Sequence, residues 1–116
     1  MGFAQDRGRA GEAMAVAYLE LLGCRLVARN VRMAGVEVDV VADDGATRVL
    51  VEVRTRTRTD FGGAAATVDR RKQKRLARAA LALEQQGVTR VRVDVIAVDL
   101  VPDGAKLTHY RNAVTD

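Results

Sequence analysis

Cysteine is almost missing from this sequence, with Cys24 standing alone. One thiol cannot close an internal disulfide and cannot build a cysteine-cluster zinc site. Its environment-free reading is a small buried hydrophobe at the start of a strand, set against the rarer catalytic thiol. Aromatics are nearly as scarce: Phe3, Tyr18, Phe61 and Tyr110, with no tryptophan. That argues against base-stacking platforms of the single-strand-binding type, so any nucleic-acid contact should fall on phosphates. No apolar run is long enough for a transmembrane helix, and the N-terminus lacks the apolar core of a signal peptide. A cytoplasmic protein with no membrane partner is the expectation. Repeats, low-complexity stretches and proline-rich linkers are absent too, Pro102 being the one proline. The one histidine, His109, sits late in the chain without an evident partner, which suits a structural or surface role better than catalysis.

What the sequence does hold is one domain's worth of chain. At 116 residues it predicts a single domain over 1–116, with a core from about 8 to 114. A net charge of +4 and a pI near 9.8 favour a polyanionic partner without specifying one.

Alanine, leucine and glutamate predict a first helix over Arg9–Leu22, closed by Gly23. Strands are expected over Cys24–Val31, Val36–Ala42 and Thr47–Thr55, the last two joined through Asp43-Asp44-Gly45. Phe61-Gly62-Gly63 reads as a break, and a second helix is expected over Asp69–Gln86, closed by Gly87. A strand over Arg90–Leu100, a turn at Pro102-Asp103-Gly104 and a short strand over Leu107–Asn112 complete the chain. The order α-β-β-β-α-β, with one further strand, implies an α/β fold: a mixed sheet flanked by helices.

The unusual feature is acid on valine-rich strands: Glu37, Asp39, Asp43, Asp44 and Glu52, followed by Arg54. If Asp44-Gly45 is a two-residue turn, Glu37 faces Glu52 and Asp39 faces Leu50. Glu37, Asp39, Glu52 and Arg54 then share one face, while Val38, Val40, Val49, Val51 and Val53 share the other and belong to the core. Carboxylates gathered so closely persist when a divalent cation neutralises them, and hard oxygen ligands favour magnesium or manganese over zinc. Arg54 would fork onto a phosphate oxygen. The competing account is a solvated hairpin face whose acids pair with the many arginines. Glu12 joins the acid set from the side of the first helix that carries Val16 and Leu19, although a simple helix-start role also explains it.

The second helix collects Arg70, Arg71, Lys72, Lys74, Arg75 and Arg78, six cations in nine residues, beside an apolar stripe of Leu76, Ala79, Ala80 and Leu83. Together with Arg54, Arg56 and Arg58 they suit tracking of a nucleic-acid backbone, the plain alternative being a solvated helix face.

Gly11-Glu12 opening a helix, Asn30-x-Arg32, Glu37-Val38-Asp39, Val51-Glu52-Val53-Arg54-Thr55-Arg56, Lys72 and Arg92-Val93-Asp94-Val95-Ile96 together resemble the YraN-like family of small bacterial proteins. The resemblance spans Gly8 to Val114. That family is grouped by similarity with the PD-(D/E)xK nucleases, nearest the archaeal Holliday-junction resolvases. The resemblance implies a restriction-endonuclease-like sheet and a magnesium-dependent phosphodiesterase site. In it Asp39 and Glu52 would be metal ligands and Glu12 an additional acid. The place of Arg54 is usually a lysine that positions or activates water. Arginine keeps the charge but cannot give up a proton at neutral pH.

These observations lead to an expected metal-dependent endonuclease-like protein acting on DNA, with branched or flapped DNA among the expected substrates. Its catalytic set would be Glu12, Asp39, Glu52 and Arg54, with Mg2+ or Mn2+ held by the three acids. Arg56, Arg71, Lys72, Lys74, Arg75 and Arg78 would hold the nucleic-acid backbone. A two-fold assembly would suit a junction. The rivals are a non-catalytic nucleic-acid-binding module on the same fold and a structural domain whose acids form surface ion pairs.

Overall fold

Each helix ends where glycine permits a left-handed residue, and each does so in the same way. Gly23 (φ +93°) lets the Cys24 amide reach back to the Leu19 carbonyl at 3.0 Å, closing α1 (Phe3–Leu21). Gly87 (φ +103°) lets Val88 do the same to Leu83 at 3.0 Å, closing α2 (Arg70–Gln85). The structure is a computed structural model that describes residues 3–57, 70–88 and 90–113. Asp69, Arg58 and the Phe61-Gly62-Gly63 break lie outside the described residues.

The strands are β1 (Arg25–Met33), β2 (Val36–Asp44), β3 (Thr47–Thr57), β4 (Arg90–Val101) and β5 (Gly104–Tyr110). They form one sheet in the order β1-β2-β3-β4-β5. Neighbours are antiparallel except β3 and β4, which run parallel from Thr47↔Arg90 to Thr57↔Leu100. The expected mixed α/β sheet is therefore present, in a single compact domain. Among the described residues no helix is long and apolar enough to cross a membrane.

Each face of the sheet carries a helix. Ala15, Val16 and Leu19 of α1 pack on Val49, Val51, Val53, Ile96 and Val98, with Cys24 buried beside them. Leu76, Ala77 and Ala79 of α2 pack on Val38, Val41, Leu50 and Val93. The face expected to collect acids is thus a second core face, and every residue from Val49 to Val53 is buried.

Three expectations are corrected. First, Gly45-Ala46 forms the turn of the β2–β3 hairpin, so Asp44 pairs with Thr47 and Val40 with Val51. Sliding the turn by one residue moves each partner by two, which keeps the face assignment of β3 but changes who faces whom. Continued past Val40↔Val51, where the regular pairs stop, this register puts Asp39 rather than Glu37 opposite Glu52. Second, Val38 and Val40 do not share a face. Val36, Val38 and Val41 lie under α2, whereas Val40 and Ala42 lie under α1. On β1, Leu26 lies under α1, and Ala28, Val31 and Met33 under α2. Residues three apart sharing a face break the period of two. Both strands therefore switch faces together, at Asn30 (φ +50°) and Asp39. Third, α1 starts at Phe3, so Gly11 lies within the helix instead of opening it.

Gly11 has a packing reason to be there. A Cβ at this position would fall 1.9 Å from Thr55 Oγ1 and 3.1 Å from its Cγ2. Mid-helix glycine normally costs about 1 kcal/mol relative to alanine. Here the order inverts: Gly11→Ala should destabilise the fold by roughly 1–3 kcal/mol, the range for overpacking. Thermal melts would read the loss, and adding Thr55→Ala should recover most of it. A more stable Gly11→Ala protein would show that α1 does not depend on this close approach.

Candidate functional site

Among the described residues, two polar side chains are buried: Glu52, 2% exposed, and Asp94, 0% exposed. Their surroundings differ completely.

Asp94 is fully matched. Arg92 donates to both of its oxygens (2.8 and 3.0 Å), the Asn112 amide donates at 2.8 Å, and His109 Nε2 stands 2.7 Å away. The Tyr18 hydroxyl meets His109 Nδ1 at 3.0 Å, tying α1 and β5 to β4. Burial alone would raise the Asp94 carboxyl, but these partners hold it below the usual carboxylate range. The expectation that His109 lacks a partner is corrected, and its role is structural: it is a part-buried strut in a satisfied network.

Glu52 is not matched in this way. Lys72 Nζ of α2 lies 3.0 Å from Oε1, and Arg54 Nε lies 3.4 Å from Oε2, close enough for ion pairs. The Lys72 ammonium covers Oε1, whereas Arg54 Nε, 3.4 Å from Oε2, is not aligned as a hydrogen bond. Burial pushes the Glu52 carboxyl up, and the charge of Asp39 pushes it further. Lys72 and Arg54 pull it back, leaving it at about 7 against an ordinary 4.5. A carboxyl shifted this far by burial and a neighbouring acid is a functional-site candidate.

Asp39 completes the pair. At the point where the strands switch faces, its Oδ2 accepts the Val53 amide at 2.9 Å, fixing it beside Glu52. Glu12 lies on the sheet-facing side of α1, as expected, but its Oε1 is taken by Asn30 Nδ2 at 3.0 Å and approached by Arg29 at 4.0 Å. Glu37 is exposed. Among the described residues no group of three or more His, Cys, Asp or Glu side chains is arranged to hold a metal. Asp39 and Glu52 alone still fit magnesium, which takes one or two carboxylates and completes its shell with water and substrate phosphate. Glu52 Oε2, which Arg54 Nε approaches at 3.4 Å while Lys72 covers Oε1, is the oxygen left for a hard cation.

The acids of the hairpin end follow the plainer account. Asp43 pairs with Arg25 (2.8 Å) and Arg48 (2.9 Å), and Asp44 with Arg92 (3.3 Å) and Arg111 (3.0 Å). Among the expected backbone-binding cations, Arg71, Lys74, Arg75 and Arg78 are exposed on α2. Arg56 is engaged by Asp99, and Lys72 turns inward to Glu52. Sequence reasoning missed this role of Lys72, although its place four residues before Leu76, on the apolar stripe, was a usable signal. It also passed over Asn30 as a partner of Glu12.

With this geometry in place, similarity to known proteins decides the family. The model of uncharacterised protein family UPF0102 matches residues 11–98. The chain belongs to UPF0102. It is 44% identical to a UPF0102 protein of Geobacter sulfurreducens over 110 residues, 91% of this chain and 86% of that one. A UPF0102 protein of Mycobacterium tuberculosis is 45% identical over 113 residues, covering 90% and 88%. One from Halorhodospira halophila is 45% identical over 95 residues, covering 82% and 78%. Among solved structures, Pyrococcus furiosus SfsA in complex with Ca2+ aligns with a TM-score of 0.47 at 12% identity, over 93% of this chain and 63% of that one. UPF0102 membership agrees with the motif resemblance read from the sequence, all of whose named residues fall between Gly11 and Ile96.

The raised Glu52 carboxyl has a sign that can be checked. With a folded value near 7 above an unfolded one near 4.5, its contribution is fully present below about pH 4.5 and lost as pH rises through 7. Urea denaturation should therefore show the protein losing on the order of 2 kcal/mol between pH 5 and pH 8. Glu52→Gln should flatten that slope and be the more stable protein at pH 8. An identical slope in Glu52→Gln would remove Glu52 as the titrating group.

Proposed function

We propose that this UPF0102 protein is a metal-dependent endonuclease-like protein that binds DNA and hydrolyses its phosphodiester bonds. The observation that supports the reading is the pair Asp39–Glu52: a buried carboxylate with Lys72 on one oxygen and no aligned hydrogen bond from Arg54 to the other, held beside a second acid, with its carboxyl raised to about 7. A purely structural acid in the same sheet, Asp94, has every partner that Glu52 lacks.

Asp39 and Glu52 would hold magnesium or manganese, which when bound supplies Lewis-acid stabilisation of the phosphate and a more acidic water. Asp39 is kept in place by the Val53 amide. Arg54, on the same strand face as Glu52 and about one-third exposed, can fork onto a non-bridging phosphate oxygen. Its guanidinium steadies charge but takes no proton. Glu12, held by Asn30, would serve as a further acid. The exposed Lys74, Arg75 and Arg78 would follow the phosphate backbone, with Arg71 beside them. Branched or flapped DNA is the proposed substrate class, following the family resemblance.

A second reading, a DNA-binding module without turnover, is favoured by Arg54 standing where the motif has lysine. One experiment separates the two. Labelled linear, flapped and four-way DNA are incubated with Mg2+ or Mn2+ and wild type, Asp39→Ala or Glu52→Ala. The enzyme reading expects cleavage by wild type and at least about 100-fold less from either variant. Binding without cleavage would select the module, and cleavage that survives both substitutions would reject this site. In the same assay, Lys74→Ala/Arg75→Ala/Arg78→Ala should weaken binding and lower the salt slope by up to about 3, near one per phosphate contact.

A further inference from the structure

Lys72 does not belong with the cations around it. Lys74, Arg75 and Arg78 are exposed, whereas Lys72 lies on the apolar stripe of α2 with its side chain 27% exposed. Its Nζ stands 3.0 Å from an oxygen of Glu52, a side chain 2% exposed. Arg54 follows Glu52 by two residues on β3 and so shares its face, yet comes no nearer than 3.4 Å through Nε, without alignment. The charge that meets Glu52 most closely therefore comes from another element.

The chemistry of the two cations explains such a division. An ammonium is a compact point charge that can sit over one carboxylate oxygen and leave the other open. A guanidinium is a planar fork that pairs with both oxygens of a carboxylate, or with two oxygens of a phosphate. An arginine closed bidentately on Glu52 would leave that acid nothing for a third group. With an ammonium on Oε1, the acid stays oriented, and the arginine fork is free to face outward.

We infer that Lys72 has taken over, from α2, the place of the lysine that the strand motif would put at position 54. It is a positioning residue that orients Glu52 and releases Arg54 to the substrate phosphate. This rests on the nuclease reading above, and the test keeps the two apart.

The full-length protein is prepared as wild type, Lys72→Met, Arg54→Lys and the double variant, and DNA cleavage and Mn2+ binding without DNA are measured separately. Lys72→Met should lose about 100-fold in cleavage rate, the scale of removing one oriented charge from an active site. It should also bind Mn2+ about tenfold more tightly, because a competing cation has left the carboxylate. A lysine that merely supported the fold would move both readouts downward together. Adding Arg54→Lys should return cleavage to within about tenfold of wild type, since it restores an ammonium on the same face of Glu52. If Lys72→Met melts below the assay temperature, Lys72→Gln carries the same comparison. Wild-type cleavage by Lys72→Met, or a double variant no better than the single one, overturns the inference and leaves the nuclease reading standing. A wild type that neither cleaves DNA nor binds Mn2+ overturns both.

Discussion

A strand with a neighbour on each edge and a helix over each face has no water to offer a charge, and β3 carries one. Glu52 sits between β2 and β4 and beneath α2, in a run where Val49, Leu50, Val51 and Val53 fill both cores. A lone carboxylate in such a place is costly unless it is paired, hydrogen-bonded or protonated. Asp94 shows how this sheet resolves the problem for stability: bidentate arginine, a histidine and a backbone amide, all within 3.0 Å. Glu52 receives two cations at imperfect angles and a second acid beside it. An arrangement that served folding alone would resemble that of Asp94. The disparity between the two acids is what makes Glu52, and not Asp94, the candidate.

The placing of Asp39 follows from a local irregularity shared by two strands. β2 carries Val40 and Ala42 under α1 but Val36 and Val38 under α2, and on β1, past the register shift between Leu26 and Ala28, Ala28 and Val31 lie three apart under the same helix, α2. The exchange occurs at Asn30 and Asp39, and Asn30 adopts a left-handed φ that asparagine tolerates better than most residues. Where the regular β2–β3 pairs stop, a side-chain oxygen of Asp39 takes the amide of Val53. The same switch lets Asn30 reach Glu12. The contact of Gly11 with Thr55 sets how near α1, and with it Glu12, can come to β3. Backbone irregularity, glycine contact and acid placement are one structural event.

Much of this was legible from the chain, and the limits have physical causes. Glycines at 23 and 87 marked both helix ends, and period-two valines marked β2 and β3, because these signals are local. The face of Glu52 and Arg54 was also readable, since sliding a turn by one residue preserves parity. The partner of Glu52 was not, because Asp44-Gly45 and Gly45-Ala46 are both acceptable turns and the sequence does not rank them. The face switch at Asp39 was invisible: alternation of valines looks the same on either side of it. His109 looked unpartnered because Tyr18 lies 91 residues away and Asp94 15, distances that only the folded sheet closes. Lys72 was legible in principle, but six neighbouring cations invited a single explanation for all of them.

The charges on this chain separate into three kinds once geometry is imposed, and the separation bears on function more than their total does. Asp43, Asp44, Arg25, Arg48 and Arg111 neutralise one another around the hairpin end and need no ligand. Lys74, Arg75 and Arg78 project from α2 into solvent and, among the described residues, contribute field without fixed partners. The third kind is Asp39, Glu52, Arg54 and Lys72: Lys72 and Arg54 approach Glu52, and the Val53 amide holds Asp39 close enough for its charge to act on that acid. Two carboxylates and two cations give no net formal charge when all are ionised, so the cluster tolerates burial. Its imperfect alignment means that a divalent ion or a phosphate could improve on the contacts already present. On the proposed nuclease reading, arginine at position 54 bears most directly on turnover: it leaves no proton carrier at that strand position and keeps the charge balance intact. Any proton taken from water here must pass to another group or to bulk solvent, which makes binding by this site a weaker demand on its residues than catalysis.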